Sequence, residues 1–258
     1  MSDASLRART TTEIVDAAFT LYRRDFQQYI MIGAIAYSPM IVITLLTQGM
    51  TGTGQTLVVV GVSMIGLIIA TIVGAAVTRM GADVYLGGRA DVGRTVSAVL
   101  PRVLVLIVTA LLTMLMVVPG LILLIIPGLY LATRLFAAPQ VVVIENRGAI
   151  EAIRRSFALT KGRAGHVFLT LLLLYGLYFA LSFGVTLGVA LFGSPVLQTV
   201  VSSVLSIFCF PILGLAGLVL YYDLRIRNEG FDVEHMAQSL DGSLDGSSYA
   251  AATGRPLA

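Results

Sequence analysis

Residues 103–144 read VLVLIVTALLTMLMVVPGLILLIIPGLYLATRLFAAPQVVVI, and their 42 positions carry one charge, Arg134. A helix rises 1.5 Å per residue, so about 20 residues cross a hydrocarbon core of roughly 30 Å. The stretch is too long for one transmembrane helix and about right for two. It contains two breakers, Pro119-Gly120 and Pro127-Gly128. Proline removes a backbone donor and clashes with the preceding turn, so either pair can close a hairpin or kink a continuing helix. We place the turn near Pro119 to Leu121 and read Pro127 as a kink in the next span; a turn at Pro127-Gly128 stays open.

Two further stretches, residues 26–78 and 167–222, are 53 and 56 residues long and carry no charge at all. Each has its own helix-breaking cluster, QGMTGTGQ at 48–55 and FGSP at 192–195. The expected architecture is therefore all-α: a polytopic membrane protein with six transmembrane helices in three hairpins, over residues 11–234. The spans fall near 28–47, 56–78, 102–119, 121–143, 167–191 and 196–222. Composition agrees. The 258 residues are 57% hydrophobic and 12% charged, about half the charge of a soluble domain, with a mean hydropathy of +0.91. A water-soluble enzyme with a solvated surface is excluded.

The 17 basic residues fall in four clusters: four before residue 26, four in 79–102, five in 145–166 and three after 222, with Arg134 between them. With six spans, all four clusters lie on one side and the uncharged turns on the other. The positive-inside rule then puts both termini and both long loops in the cytoplasm. A single span in 103–144 would send the third cluster to the opposite side. The net charge is +3. The last 30 residues hold five carboxylates and one arginine, so the chain before them carries +7. Sixteen of the 17 basic residues are arginine, a usage that fits a GC-rich prokaryote, and we expect a plasma (inner) membrane location. No secretory signal is expected, since the first apolar run follows several acidic residues and continues as a hairpin. Residues 1–10 are expected to be flexible. The tail 237–258, poor in large apolar residues and rich in Ser, Gly and Ala, is expected to be disordered.

Basic amphipathic helices precede the hairpins. Thr11-Thr12 offers an N-cap for a helix whose stripe is Ile14, Ala18, Leu21 and Tyr22. Ala149, Ile150, Ile153 and Phe157 form a second stripe, with Glu151 and Arg155 spaced for an i,i+4 pair. A shorter helix begins at Val92. We read these as interfacial helices. Arg154, Arg155, Lys161 and Arg163 form a candidate interfacial basic cluster. Such residues attract anionic lipid by about 1 kcal/mol per charge, and they also anchor span ends.

Three stretches, PGLYLATR at 127–134, AIRRSFALTKGR at 152–163 and YYDLRIRNEGFD at 221–232, together with residues 14–26, resemble one membrane family. It is the membrane domain that precedes the catalytic module in some bacterial glycerophosphoryl diester phosphodiesterases and that also occurs alone. The resemblance covers roughly residues 11–234. It implies the stand-alone membrane form, because only 26 residues follow Asp232 and the catalytic module is a separate barrel. It carries over no biochemical activity.

Catalytic chemistry is thin. The spans hold no Asp or Glu, the two histidines are His166 at a span edge and His235 in the tail, and the single cysteine is Cys209. We expect no catalytic, cofactor or metal site. Arg134 is the exception within the spans, about nine residues or roughly 13 Å inside its helix. A charge at that depth costs a few kcal/mol unless it snorkels or finds partners. It either faces a bundle interior or cavity and binds an anionic group such as a lipid phosphate, or snorkels to the cytoplasmic interface, or pairs with Glu145 or with helix-end carbonyls. Ala180, Gly184 and Gly188 recur every four residues and are candidate helix-packing positions, within the chain by default. Tyr221-Tyr222 fits an interfacial aromatic belt, with Asp223 and Arg227 at i,i+4 spacing.

The function expected is that of a non-enzymatic membrane protein with a structural, lipid-interacting or accessory role at the cytoplasmic face. The alternative is a small transporter or lipid translocator with a polar path around Arg134. A membrane-embedded hydrolase comes third. Membrane lipids, anionic ones among them, are the expected partners. Nucleic acid is not expected; a protein partner and an oligomer stay open.

Overall fold

The computed structural model describes residues 7–47, 52–191 and 193–230. Of the described residues 88% are helical, and none lies in a strand. Its helices are α1 (Thr11–Arg24), α2 (Phe26–Thr47), α3 (Thr53–Tyr85), α4 (Val92–Val99), α5 (Val103–Leu123), α6 (Ile125–Leu135), α7 (Ala138–Ile144), α8 (Ala149–Leu159), α9 (Ala164–Ala190) and α10 (Pro195–Glu229), with a 3-10 turn at Leu100–Arg102. Five candidate spans are long and apolar enough to cross a membrane, or six if the bent α2 is one span. The bend in α2 is 42°. Pro39 cannot donate to the Ile35 carbonyl, and the Ser38 hydroxyl takes that place at 3.1 Å. The expected turn at 48–55 falls partly outside the described residues; residues 1–6, expected to be flexible, and the whole 237–258 tail, expected to be disordered, lie outside them.

The middle stretch differs from expectation. Helix α5 runs through Pro119 to Leu123, the chain breaks at Leu124 in an extended conformation, and α6 begins at Ile125. The reversal lies between the two Pro-Gly pairs. Pro127 sits in the first turn of α6, where its missing N–H has no partner to lose. Across the reversal a Cβ on Gly120 would lie 2.9 Å from the Gly128 Cα, so the two helices touch backbone to backbone. The expected fourth span is present as one candidate from Ile125 to Ile144, with a turn inside it. Helix α6 ends at Leu135 and α7 starts at Ala138, with Pro139 in its first turn. Gln140, with its amide turned to donate, reaches the Phe136 carbonyl at 2.8 Å and so satisfies one acceptor freed by the break.

The core lies in one half of the bundle. Buried residues in α3 run from Val73 to Tyr85 only, and in α10 the continuous run is Leu215 to Leu224. Around these pack Ala137 to Val143, Ile14, Tyr29, Leu106 and Val167. In the other half Leu57, Leu123, Ile126 and Leu191 are exposed. Close approach of α10 is made by glycines that the four-residue spacing did not mark. Gly81 faces Leu215 and Leu218, Gly214 faces Val77, and Gly33 lies against the Ile207 carbonyl that Pro211 leaves free. Ala180, Gly184 and Gly188 are exposed, and nothing lies within 4 Å of a Cβ built on either glycine. The two glycines of the stripe therefore make no close contact with the described residues.

Candidate functional site at the charged end of the bundle

Contacts join the four basic clusters in a ring. Arg24 donates to the Gly88 carbonyl at 3.1 Å, Arg102 to the Asn146 carbonyl at 2.8 Å, Arg155 pairs with Glu229, and Arg227 donates to the Arg9 carbonyl at 2.7 Å. Two buried carboxylates organise it. Asp223, whose side chain is fully buried, accepts from the Arg9 backbone N–H at 2.6 Å and from Arg227 Nε at 2.8 Å, and meets His166 Nε2 at 3.1 Å. The Asp223–Arg227 pair follows the sequence spacing; the strap formed by residues 7–10 does not, since a flexible segment was expected there. This strap sets the start of α1 one residue early, with Thr10 as N-cap in a reciprocal capping box with Glu13. The stripe Ile14, Ala18, Leu21 and Tyr22 is buried by protein, with α1 packed on α10 and α9.

Glu145 is the second hub. It accepts from the Tyr221 hydroxyl at 2.8 Å, Arg155 Nε at 3.0 Å and Arg147 Nε at 2.8 Å. Tyr221 and Tyr222 are thus core residues rather than a belt, and Arg155 bonds Glu145 and Glu229 instead of Glu151. Burial pushes the Glu145 carboxyl up, but the bonds from Tyr221 and Arg155 outweigh it, and its pKa ends below the ordinary 4.5. A depressed carboxylate contributes stability that is present above about 4.5 and is lost as the pH falls below it. Glu145→Gln should therefore lower the thermal midpoint at pH 7 and flatten its decline below about pH 4.5, measured in detergent by a melting scan; an unchanged acid slope would remove Glu145 from this role.

Arg134 stands apart from both hubs. Its backbone is held because α6 ends one residue later with free carbonyls. Ser156 and Thr160, i,i+4 on the buried face of α8, donate to the Arg134 carbonyl at 2.7 and 3.4 Å. Its guanidinium lies over the Phe157 ring at 5.3 Å and the Tyr130 ring at 5.9 Å. The enclosed Nε has no hydrogen-bond acceptor, and the side chain forms no ion pair among the described residues. It does not pair with Glu145, and it lies within the candidate span Ile125–Ile144, against α8. Helix α8 turns Ala152, Ser156 and Leu159 inward, while Ile150, expected in its apolar stripe, is exposed.

The basic cluster on and after α8 divides accordingly. Arg155 is consumed by Glu145 and Glu229, and Arg163 donates to the Asn228 amide oxygen at 3.3 Å. Arg154 on α8 and Lys161 in the turn after it are exposed, and their side chains have no acceptor among the described residues. The residues that sequence reasoning missed are Ser156 and Thr160. Their signal was two hydroxyls at four-residue spacing on the face opposite the arginines.

Beneath this end lies a cavity of about 700 Å³, walled by α3, α5, α6, α7, α9 and α10. Its lining contains no charged side chain and does not include Arg134. Among the described residues no group of three His, Cys, Asp or Glu could hold a metal ion. Comparisons with family models, curated proteins and solved structures find no match for this chain.

Proposed function

We propose that this chain is a non-enzymatic multi-pass membrane protein that holds anionic lipid at the charged end of its bundle. In this reading six spans form three hairpins, and both termini and the charged loops face the cytoplasm of a prokaryotic cell. The ring of contacts among the four basic clusters supports that arrangement. The observation that carries the lipid reading is Arg134, a guanidinium near two aromatic rings with no acceptor among the described residues. Arg147, Arg155, Arg225 and Arg227 each meet a carboxylate, whereas Arg134, Arg154 and Lys161 form no ion pair among the described residues. A phosphate placed there would supply the missing acceptor, and the planar guanidinium can stack on the rings while donating from its edge. The resemblance to the stand-alone phosphodiesterase membrane domain fits a role without chemistry of its own. The translocator alternative needs a polar path around Arg134, and the cavity lining gives it no support.

The test compares Arg134→Leu and Arg134→Lys by native mass spectrometry after purification from a mixture of phosphatidylglycerol and phosphatidylcholine. Loss of the charge should reduce retained phosphatidylglycerol about tenfold, equivalent to about 1.4 kcal/mol. Lysine should keep part of it, because it keeps the charge but loses the planar stacking. Unchanged bound lipid in both variants would overturn the reading.

A further inference from the structure

The 700 Å³ cavity is a second site, and we infer that it takes the hydrocarbon chain of a membrane lipid. Its volume falls within the roughly 300–1,000 Å³ of sites that enclose small molecules. Its chemistry is that of hydrocarbon. Phe136, Phe168, Leu171 and Phe210 supply apolar walls, and Ala70, Gly74, Ala110 and Gly214 leave the space between them. The polar groups in the lining are largely committed. Thr71 and Thr133 donate to the Leu67 and Leu129 carbonyls of their own helices at 2.8 and 2.7 Å, and Gln140 caps Phe136. A buried water needs two to four polar partners, so water is a poor occupant. A charged ligand would find no counter-charge.

The surroundings select the occupant. The lining passes from buried Thr78, Leu106, Thr133 and Leu174 to exposed Leu129 and Tyr175 on α6 and α9. That mouth is continuous with the exposed apolar surface of the candidate spans, where the medium is lipid chain. Phe136, Pro139 and Gln140, at the junction of α6 and α7, complete the lining. The site depends on chain chemistry and shape, not on Arg134 or on the charge of a headgroup. It can therefore stand or fall separately from the anionic-lipid reading.

The experiment uses the full chain in nanodiscs of phosphatidylcholine carrying a diazirine near the end of one acyl chain, with adducts mapped by peptide mass spectrometry. A zwitterionic probe leaves the Arg134 question aside. Adducts are expected on Phe136, Leu171 and Phe210 as well as on the outward-facing Phe183 and Leu187. A Cβ on Gly74 would meet nothing within 4 Å, so Gly74→Phe can grow into the cavity without striking backbone. It should cut the cavity adducts at least tenfold and spare those on Phe183 and Leu187. Ala110→Phe, from the α5 wall, should do the same. Arg134→Leu should leave the cavity adducts unchanged. Wild-type protein labelled only on its outward faces would overturn the inference, as would equal cavity labelling in both filled variants.

Discussion

Asp223→Ala should lower the stability of the protein by about 3–5 kcal/mol, the range for removing one partner from a buried charged network. Its carboxylate is fully enclosed and receives the Arg9 backbone N–H, Arg227 and the His166 ring together. Alanine leaves Arg227 Nε and the Arg9 backbone N–H without their acceptor, and that desolvation loss accounts for most of the effect. The consequence is specific as well as large. The segment before α1 is attached to α10 through Asp223 on one side and through Arg227 to the Arg9 carbonyl on the other. Limited trypsin digestion should therefore cut the variant after Arg7 and Arg9 faster than wild type, before the rest of the chain opens. Asp223→Asn, which keeps an oxygen acceptor, should release the segment less. Equal cleavage of all three proteins would mean that Asp223 does not hold the strap.

This strap marks the boundary of what the sequence could convey. Charge-free length identifies the apolar helices, because a bilayer excludes charge over a fixed thickness and leaves that mark in any order of apolar residues. It says little about which face of a helix is inside. A helix apolar all round has almost no amphipathic direction, so the stripe Ala180, Gly184 and Gly188 named a spacing without naming a neighbour. The same holds for pairs. Local spacing predicted Asp223–Arg227 correctly and Glu151–Arg155 incorrectly, since Arg155 finds Glu145 and Glu229 closer once α7, α8 and α10 are brought together. Arg134 was legible as an anomaly because a lone charge in an apolar run is conspicuous. Its cradle was not, because it depends on the end of α6 meeting two hydroxyls on α8. The cavity was not legible at all, being a property of helices that fail to meet.

Gly128→Ala should be the most damaging single methyl in the chain. A Cβ there would lie 2.4 Å from the Leu121 nitrogen and 2.6 Å from the Leu121 Cα. These are backbone atoms of the helix across the reversal, so no side-chain rotamer relieves the overlap, and α6 must move away from α5. The expected cost is about 3 kcal/mol, the upper end for overpacking. Gly120→Ala, whose Cβ would reach 2.9 Å from the Gly128 Cα, should cost less. In the open stripe Gly184→Ala meets nothing and should be neutral or stabilising by roughly 0.5–1 kcal/mol, the ordinary gain from replacing a helical glycine. Melting scans of the three variants thus separate a backbone contact from a helix propensity. The displacement has a second readout, because α6 carries Arg134 six residues further on, and its carbonyl depends on Ser156 and Thr160. Gly128→Ala should weaken phosphatidylglycerol retention along with stability, whereas Gly184→Ala should change neither adversely. If Gly128→Ala melts with wild type, the helices do not meet at Gly120 and Gly128, and the chain must reverse somewhere other than Leu124.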